Sequence, residues 1–305
     1  MKKFKVVIII IVSIFTLLVT GVFSFAVWFE INNGSEAALS EIKVTHNVGE
    51  NDLEWDYSQV IQKVSVEYLS VNNTNYAIYY PSELKELYPV VVWSNGSLAT
   101  YLNYQNMLQS LASYGFVVVA NDDQYSGAGN AAYESAILAR ELNDDFNSIF
   151  YQKLNTDKIG VGGHSQGAAG AINAATQFKN SDMFKAIYTT SLPQHSLCIG
   201  PFSYWSYDTS LLQIPYFMTS GTGEFDDFVS PLSSLESTFN NVNNQKKIVM
   251  ARQHGADHNV ANVESGYLNA WFSYTLKNDL KAAEIFSNDG ELFNNQRWVD
   301  AHLKP

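Results

Sequence analysis

Short apolar runs alternate with longer helical patterns from about residue 64 onward. The apolar runs, which are of β-strand type, occupy residues 64–69, 76–80, 89–94, 116–121, 158–162, 184–190, 214–219 and 247–252. Helical patterns occupy residues 101–114, 131–150, 166–178, 231–239 and 262–276. The first two strands predict an antiparallel hairpin, and each later helix is long enough for a right-handed crossover. This alternation predicts an α/β fold, with a mostly parallel central sheet of about eight strands flanked by helices.

One interval breaks that alternation. Residues 193–210 contain several aromatic side chains but no convincing strand or amphipathic helix. We expect this segment to cap or line a site, with Phe202, Tyr204 and Trp205 as candidates for an apolar substrate pocket. A core or surface aromatic cluster is the alternative interpretation of these three residues.

The N-terminal residues form a separate unit. Lys2, Lys3 and Lys5 precede an apolar run over residues 6–29, which is long enough to cross a bilayer as a helix. The pattern predicts a single-pass membrane anchor at 1–30, an extracytoplasmic polar stalk at 31–62 and one catalytic domain at 63–305. A cleaved signal peptide shares the basic start, and in that case the protein would be secreted.

Charge and cysteine content exclude some classes of function. The net charge of −12 argues against a nucleic-acid partner, because phosphate binding needs a basic surface. The single cysteine, Cys198, excludes an internal disulfide framework and a cysteine-based metal cluster. The sequence leaves the oligomeric state open.

Residues 163–167 read Gly-His-Ser-Gln-Gly and match the G-x-S-x-G pattern. They follow a predicted strand and precede small residues that open a helix, which is the setting of a nucleophile elbow. In such a turn the serine is raised above the sheet, and the small residues Gly163 and Gly167 let the chain pass. We therefore expect Ser165 to be a nucleophile and His164 to point away from it. The alternative is a glycine-rich turn that happens to contain a serine.

A serine nucleophile needs a base and an orienting acid, expected in the order serine, acid, histidine on loops that follow strands. Three carboxylates, Glu224, Asp226 and Asp227, follow the strand at 214–219. Two histidines, His254 and His258, follow the strand at 247–252. The order of the groups agrees with the expectation, but the sequence alone does not decide which of the neighbouring carboxylates orients the histidine.

Two further motifs resemble those of bacterial polyester hydrolases, cutinase-like lipases and their chlorophyllase-like and dienelactone-hydrolase-like relatives. Residues 227–231 fit the family pattern D-x-[IV]-x-P, and residues 255–258 fit G-A-x-H. The resemblance implies an α/β-hydrolase fold over about residues 64–276, with Asp227 as the acid and His258 as the base. Asp226 stays open as the alternative acid.

An oxyanion hole in this fold uses two backbone N–H groups, one from the residue after the nucleophile, here Gln166. The resemblance implies that the second comes from Ser97, where family members often carry an aromatic residue. Polyester hydrolases also carry a tryptophan after the sixth strand, where this chain has Ser191, Leu192 and Pro193. These departures argue against an aromatic polyester as substrate.

Together these residues predict a serine hydrolase that cleaves carboxylic esters through an acyl-enzyme intermediate, with Ser165, Asp227 and His258 as its triad. We expect a small-molecule or lipid-like ester substrate and no metal or organic cofactor. Three alternatives stay open. They are a cell-surface acyltransferase with the same triad, a catalytically silent binding module of the same fold, and an enzyme that cleaves peptides or amides.

Overall fold

The computed structural model describes residues 52–243, 245–258 and 265–304. The predicted anchor, with its apolar run at 6–29, and most of the predicted stalk lie outside these residues. Within the described ranges, no helix combines the length and apolar character needed to cross a membrane.

The centre of the described chain is a single nine-stranded sheet. In chain order its strands are β1 (Val64–Val71), β2 (Thr74–Pro81), β3 (Tyr88–Ser94), β4 (Val117–Asn121), β5 (Leu154–His164), β6 (Phe184–Thr190), β7 (Tyr216–Gly221), β8 (Ile248–Gln253) and β9 (Trp298–Lys304). Their order across the sheet is β1-β2-β4-β3-β5-β6-β7-β8-β9. Strands β3 to β8 are mutually parallel, whereas β1 and β2 at one edge and β9 at the other pair antiparallel.

Helices cover both faces of this sheet. They are α1 (Leu53–Ser58), α2 (Gln105–Ser113), α3 (Asn130–Asp144), α4 (Gln166–Thr176), α5 (Glu224–Val229), α6 (Leu232–Asn241), α7 (Ser265–Lys277), α8 (Leu280–Ile285) and α9 (Glu291–Asn294). On one face, α3, α4 and α6 share a core with strand residues such as Val90 and Val92. On the other, α1, α2, α7 and α8 share a core with Val91 and Trp93. Successive residues of β3 therefore serve opposite cores, which explains the unbroken apolar runs in the sequence.

The fold class and the early hairpin agree with the sequence prediction, whereas the number of strands differs. The ninth strand was missed, although Val299, Ala301 and Leu303 alternate with polar residues at a period of two. It pairs antiparallel with β8 and closes the edge of the sheet next to the loop that follows β8. Helix α3 also ends at Asp144, earlier than the predicted 150.

Helix α1 lies in the range assigned to the polar stalk, but it is packed on the domain. The carboxylate of Glu291 accepts hydrogen bonds from the N–H groups of Leu53 and Glu54, at 2.5 and 2.8 Å. Burial raises the pKa of the Glu54 carboxyl, while the ion pair with Arg297 opposes that shift. The end of the predicted stalk thus belongs to the packed structure, and the rest of the three-part division stays a prediction.

Candidate active site

Ser165 lies in a tight turn between β5 and α4. Its φ of 55° is in the left-handed region that side chains other than glycine rarely adopt. Its backbone N–H donates to the carbonyl of Thr190 at 3.0 Å, which fixes the turn to the neighbouring strand. A Cβ at Gly163 would overlap the carbonyl of Gly167, and one at Gly167 would overlap the carbonyl of Ser94. Both glycines are therefore sterically required, as the motif predicted.

His258 is the predicted base, and its imidazole lies within hydrogen-bonding distance of this serine. Its Nε2 lies 3.0 Å from Ser165 Oγ, and its ring is buried. The residue follows β8 on a loop whose end is held by Asp257. One carboxylate oxygen of Asp257 accepts from the N–H of His258 at 2.9 Å and from the N–H of Asp226 at 2.8 Å. The histidine loop and the acidic loop after β7 are thereby joined.

Asp226 is the acid that contacts His258. Its Oδ1 lies 2.9 Å from His258 Nδ1, and its other oxygen accepts from the N–H of Gly221. The side chain is fully buried. Burial would raise the pKa of the Asp226 carboxyl, but the hydrogen bond and charge of His258, with the Gly221 N–H, hold that pKa below its ordinary value. The carboxylate is therefore ionised and oriented toward the histidine.

The prediction that Asp227 orients His258 is wrong. Its side chain is 57% exposed, and its Oδ1 lies 2.6 Å from a guanidinium nitrogen of Arg252. The cause is α5, in which neighbouring residues project about 100° apart, so that Asp226 is buried and Asp227 faces outward. The local motif fitted Asp227, but the inward face of a short helix decides which carboxylate meets the histidine. Glu224, the first residue of α5, and His254, in the loop after β8, are both exposed.

The loop after β3 lies directly against the elbow, because a Cβ at Gly167 would also overlap the carbonyl of Asn95. In this loop the N–H of Gly96 donates to Tyr104 at 2.9 Å. The N–H of Leu98 donates to the Gln124 carbonyl at 3.1 Å. The N–H of Ser97 lies between these two anchored amides.

Gln166, the residue after Ser165, is the first residue of α4, so its N–H has no acceptor within the helix. The two predicted oxyanion donors, Gln166 and Ser97, thus lie on segments that touch each other beside Ser165.

Of the three predicted pocket residues, Tyr204 reaches the elbow. Its hydroxyl donates to Oε1 of Gln166 at 3.2 Å, and the Nε2 of Gln166 donates to the Gln124 carbonyl at 2.7 Å. Trp205 packs on Phe202 with ring centroids 4.7 Å apart and covers the backbone of Gly127. The interval at 193–210 contains only short 3-10 turns, at His195–Leu197, Gly200–Trp205 and Thr209–Leu211. It therefore contacts the site through Tyr204.

Sequence reasoning missed two aromatic residues beside His258. The ring of Phe225 meets the ring of His258 edge to face at 5.0 Å. Phe225 also stacks on Phe228, which is 52% exposed, at 6.5 Å. The two phenylalanines flank Asp226 and Asp227 in the sequence, and this position could have indicated that they lie near the site. They place an apolar surface next to the imidazole.

His164 makes two buried contacts away from Ser165. Its Nδ1 lies 2.9 Å from the Tyr104 hydroxyl, and its Nε2 lies 2.7 Å from the His258 carbonyl. Burial and the neighbouring His258 lower the pKa of His164 to about 3. The prediction that His164 faces away from the serine agrees with this geometry.

In the described part of the chain, no group of three or more His, Cys, Asp or Glu side chains is arranged to hold a metal ion. The linked atoms of Ser165, His258 and Asp226 can instead move a proton between a hydroxyl and an imidazole.

Comparison with known proteins agrees with the resemblance drawn from the motifs. A family model described as PET hydrolase-like matches residues 61–291, which is most of the chain. No curated protein matches the chain. The family match supports a hydrolase that acts on esters. By this match the chain belongs to the PET hydrolase-like family, a family of α/β-hydrolases of the polyester hydrolase and cutinase-like type.

Proposed function

We propose that the protein hydrolyses carboxylic esters, with Ser165 as nucleophile and an acyl-enzyme as intermediate. The observation that carries the proposal is the continuous contact from Asp226 through His258 to Ser165, at 2.9 and 3.0 Å. A neutral imidazole between a carboxylate and a hydroxyl is the arrangement that activates a serine.

In the proposed reaction, His258 Nε2 takes the proton of Ser165 while the serine oxygen attacks the ester carbonyl carbon. The ionised Asp226 stabilises the imidazolium that forms. The same Nε2 then protonates the leaving alcohol, and the acyl group stays on the serine. A water molecule that gives its proton to His258 attacks this acyl-enzyme and releases the carboxylic acid.

The proposed oxyanion hole consists of the backbone N–H groups of Gln166 and Ser97. Both segments adjoin the elbow, and neighbouring contacts fix each of them. Each such donor typically contributes roughly 10²- to 10³-fold in rate, so the position of the loop after β3 affects catalysis substantially.

The proposed substrate is a small-molecule or lipid-like ester with an apolar part. Phe225 and Phe228 on one side and Tyr204 on the other supply apolar surface near Ser165 and His258. Ser97 supplies an amide but no ring for stacking. We further propose that the domain works outside the cytoplasm, on the basis of the basic start and the apolar run at 6–29.

The test is reaction with a fluorophosphonate probe, together with turnover of p-nitrophenyl butyrate. We expect labelling at Ser165 and turnover in the native protein, and loss of both in Ser165→Ala. Ser210→Ala is the matched control, because Ser210 is exposed and outside the site, and it should retain both.

Three outcomes would contradict the proposal. Absence of labelling in folded protein would indicate a binding module. Labelling with turnover only when an alcohol acceptor is added would indicate an acyltransferase. Turnover that persists in Ser165→Ala would exclude Ser165 as the nucleophile.

A further inference from the structure

Three buried hydrogen bonds connect the loop after β3 to the loop that carries His258. The N–H of Gly96 donates to the Tyr104 hydroxyl oxygen at 2.9 Å. The same hydroxyl lies 2.9 Å from His164 Nδ1, and His164 Nε2 lies 2.7 Å from the backbone carbonyl of His258. All three contacts are between buried groups. This series of hydrogen bonds therefore begins at Gly96, next to Ser97, and ends at the backbone carbonyl of His258.

The direction of each hydrogen bond follows from its chemistry. A carbonyl oxygen only accepts, so His164 Nε2 carries a proton. In a neutral imidazole the other nitrogen, Nδ1, then accepts, and the Tyr104 hydroxyl donates to it. The Tyr104 oxygen remains as the acceptor for the Gly96 N–H. Each of the three hydrogen bonds therefore has one defined donor and one defined acceptor. Together they fix the relative positions of the two loops.

His164 has to be neutral for this arrangement. Its ring centroid lies 4.9 Å from that of His258. A positive charge on His164 would oppose the imidazolium that forms on His258 during the reaction. Burial, followed by the proximity of His258, lowers the pKa of His164 to about 3 and keeps it uncharged near neutral pH.

The side chains of Tyr104 and His164 are also sterically confined. A Cβ at position 96 would lie 3.0 Å from both His164 Nδ1 and the Tyr104 oxygen, so Gly96 leaves little free space. The Tyr104 ring packs on Trp93, with centroids 5.3 Å apart. Neither side chain can swing aside without disturbing the core.

We infer that Tyr104 and His164 are positioning residues that hold the proposed oxyanion amide of Ser97 and the base His258 in register through one hydrogen-bond relay. This inference rests on the proposed ester hydrolysis. Their hydrogen bonds reach Gly96 and the His258 carbonyl, so both act through these two residues rather than on the substrate.

The kinetic test uses Tyr104→Phe, His164→Gln, His164→Leu and the double variant Tyr104→Phe/His164→Leu, with p-nitrophenyl butyrate as substrate. We expect kcat to fall about 10- to 100-fold in Tyr104→Phe, with KM changed by less than about threefold, because the loss affects alignment in the transition state. The inhibition constant of a trifluoromethyl ketone, which mimics that state, should rise by a similar factor. His164→Gln keeps a donor and an acceptor and should retain more activity than His164→Leu.

The double variant should lose no more activity than the more impaired of its two single variants, because the effects of residues in one relay are not additive. Tyr57→Phe is the matched control, since Tyr57 is a buried tyrosine whose hydroxyl donates to Asp279 at 2.7 Å, away from the site. It should retain native kcat. Thermal unfolding would show that each variant is folded at the assay temperature.

A spectroscopic measurement on the native protein needs no variant. Nitrogen NMR of the histidine side chains should show His164 as the Nε2-protonated tautomer, with no titration between about pH 5 and 8. An Nδ1-protonated or titrating His164 would overturn the inference. So would losses that multiply in the double variant, or Tyr104→Phe behaving like Tyr57→Phe while the native enzyme remains active. An inactive and unlabelled native protein would instead overturn the proposed function.

Discussion

The elbow at residues 163–167 and the acidic helix α5 both supply a group of the candidate site, but their sequences encode it differently. At the elbow, the requirement is local, because Ser165 has a positive φ and the flanking glycines avoid overlap with nearby backbone. In α5, the choice between Asp226 and Asp227 depends on contacts with residues about thirty positions away, His258 and Arg252. A five-residue motif can therefore identify the first group but not the second.

The two adjacent carboxylates form a matched pair within one helix. Asp226 is fully buried against His258, whereas Asp227 forms an ion pair that is partly open to solvent. Their charges are identical, so any difference between their variants measures environment alone.

The largest expected effect comes from exchanging these two carboxylates for amides. Asp226→Asn should lower kcat/KM for p-nitrophenyl butyrate by about 10³- to 10⁴-fold, because the imidazole loses its orienting charge. Asp227→Asn should change it by less than about threefold, because the Asp227 side chain is directed outward to Arg252 and not toward His258. Steady-state kinetics on both variants checks the contrast. Equal losses, or a larger loss at Asp227, would contradict the assignment of Asp226.

The next effect concerns the elbow and a glycine in the histidine loop. Gly167→Ala should destabilise the protein by about 3 kcal/mol or more, because its Cβ would overlap the carbonyls of Ser94 and Asn95. Gly255→Ala is the control, with a φ of 75° but no atom within 4 Å of the added Cβ, and it should cost about 1 kcal/mol. Urea unfolding of both variants gives the two free energies. Similar values would show that backbone overlap does not govern the elbow.

The smallest effect is a pH dependence of stability. Because the folded-state pKa of Asp226 lies below its ordinary value of 3.8, its ionised form stabilises the folded state above that pH, and this contribution is lost as the pH falls further. Asp226→Asn should therefore lose less stability than the native protein between about pH 4 and 3. Thermal midpoints measured from pH 7 to 3 test this, with Asp227→Asn as the control. Parallel curves for all three proteins would contradict the lowered pKa.

Sequence patterns predicted the parallel sheet and the elbow because each depends on a period or on a short turn. The choice of His258 over His254 came from the resemblance to the polyester hydrolases. They did not separate Asp226 from Asp227, since both fit a loop acid and only the inward face of α5 distinguishes them. The relay through Tyr104 and His164 was also not predictable, as its members are about sixty positions apart and meet only in the folded core. Phe225 was missed for the same reason: its role depends on the His258 ring 5.0 Å away.

Strand β9 has a consequence for how this domain can be shortened. The family match ends at residue 291 and begins at 61, so it omits both α1 and β9. A recombinant chain trimmed to that match would leave the backbone groups of β8 unpaired on one side, and β8 leads into the His258 loop. Unpaired edges invite strands from other molecules, so such a chain would be prone to aggregate. Strand β9, itself the outermost strand, therefore covers β8 and supports the loop that carries His258.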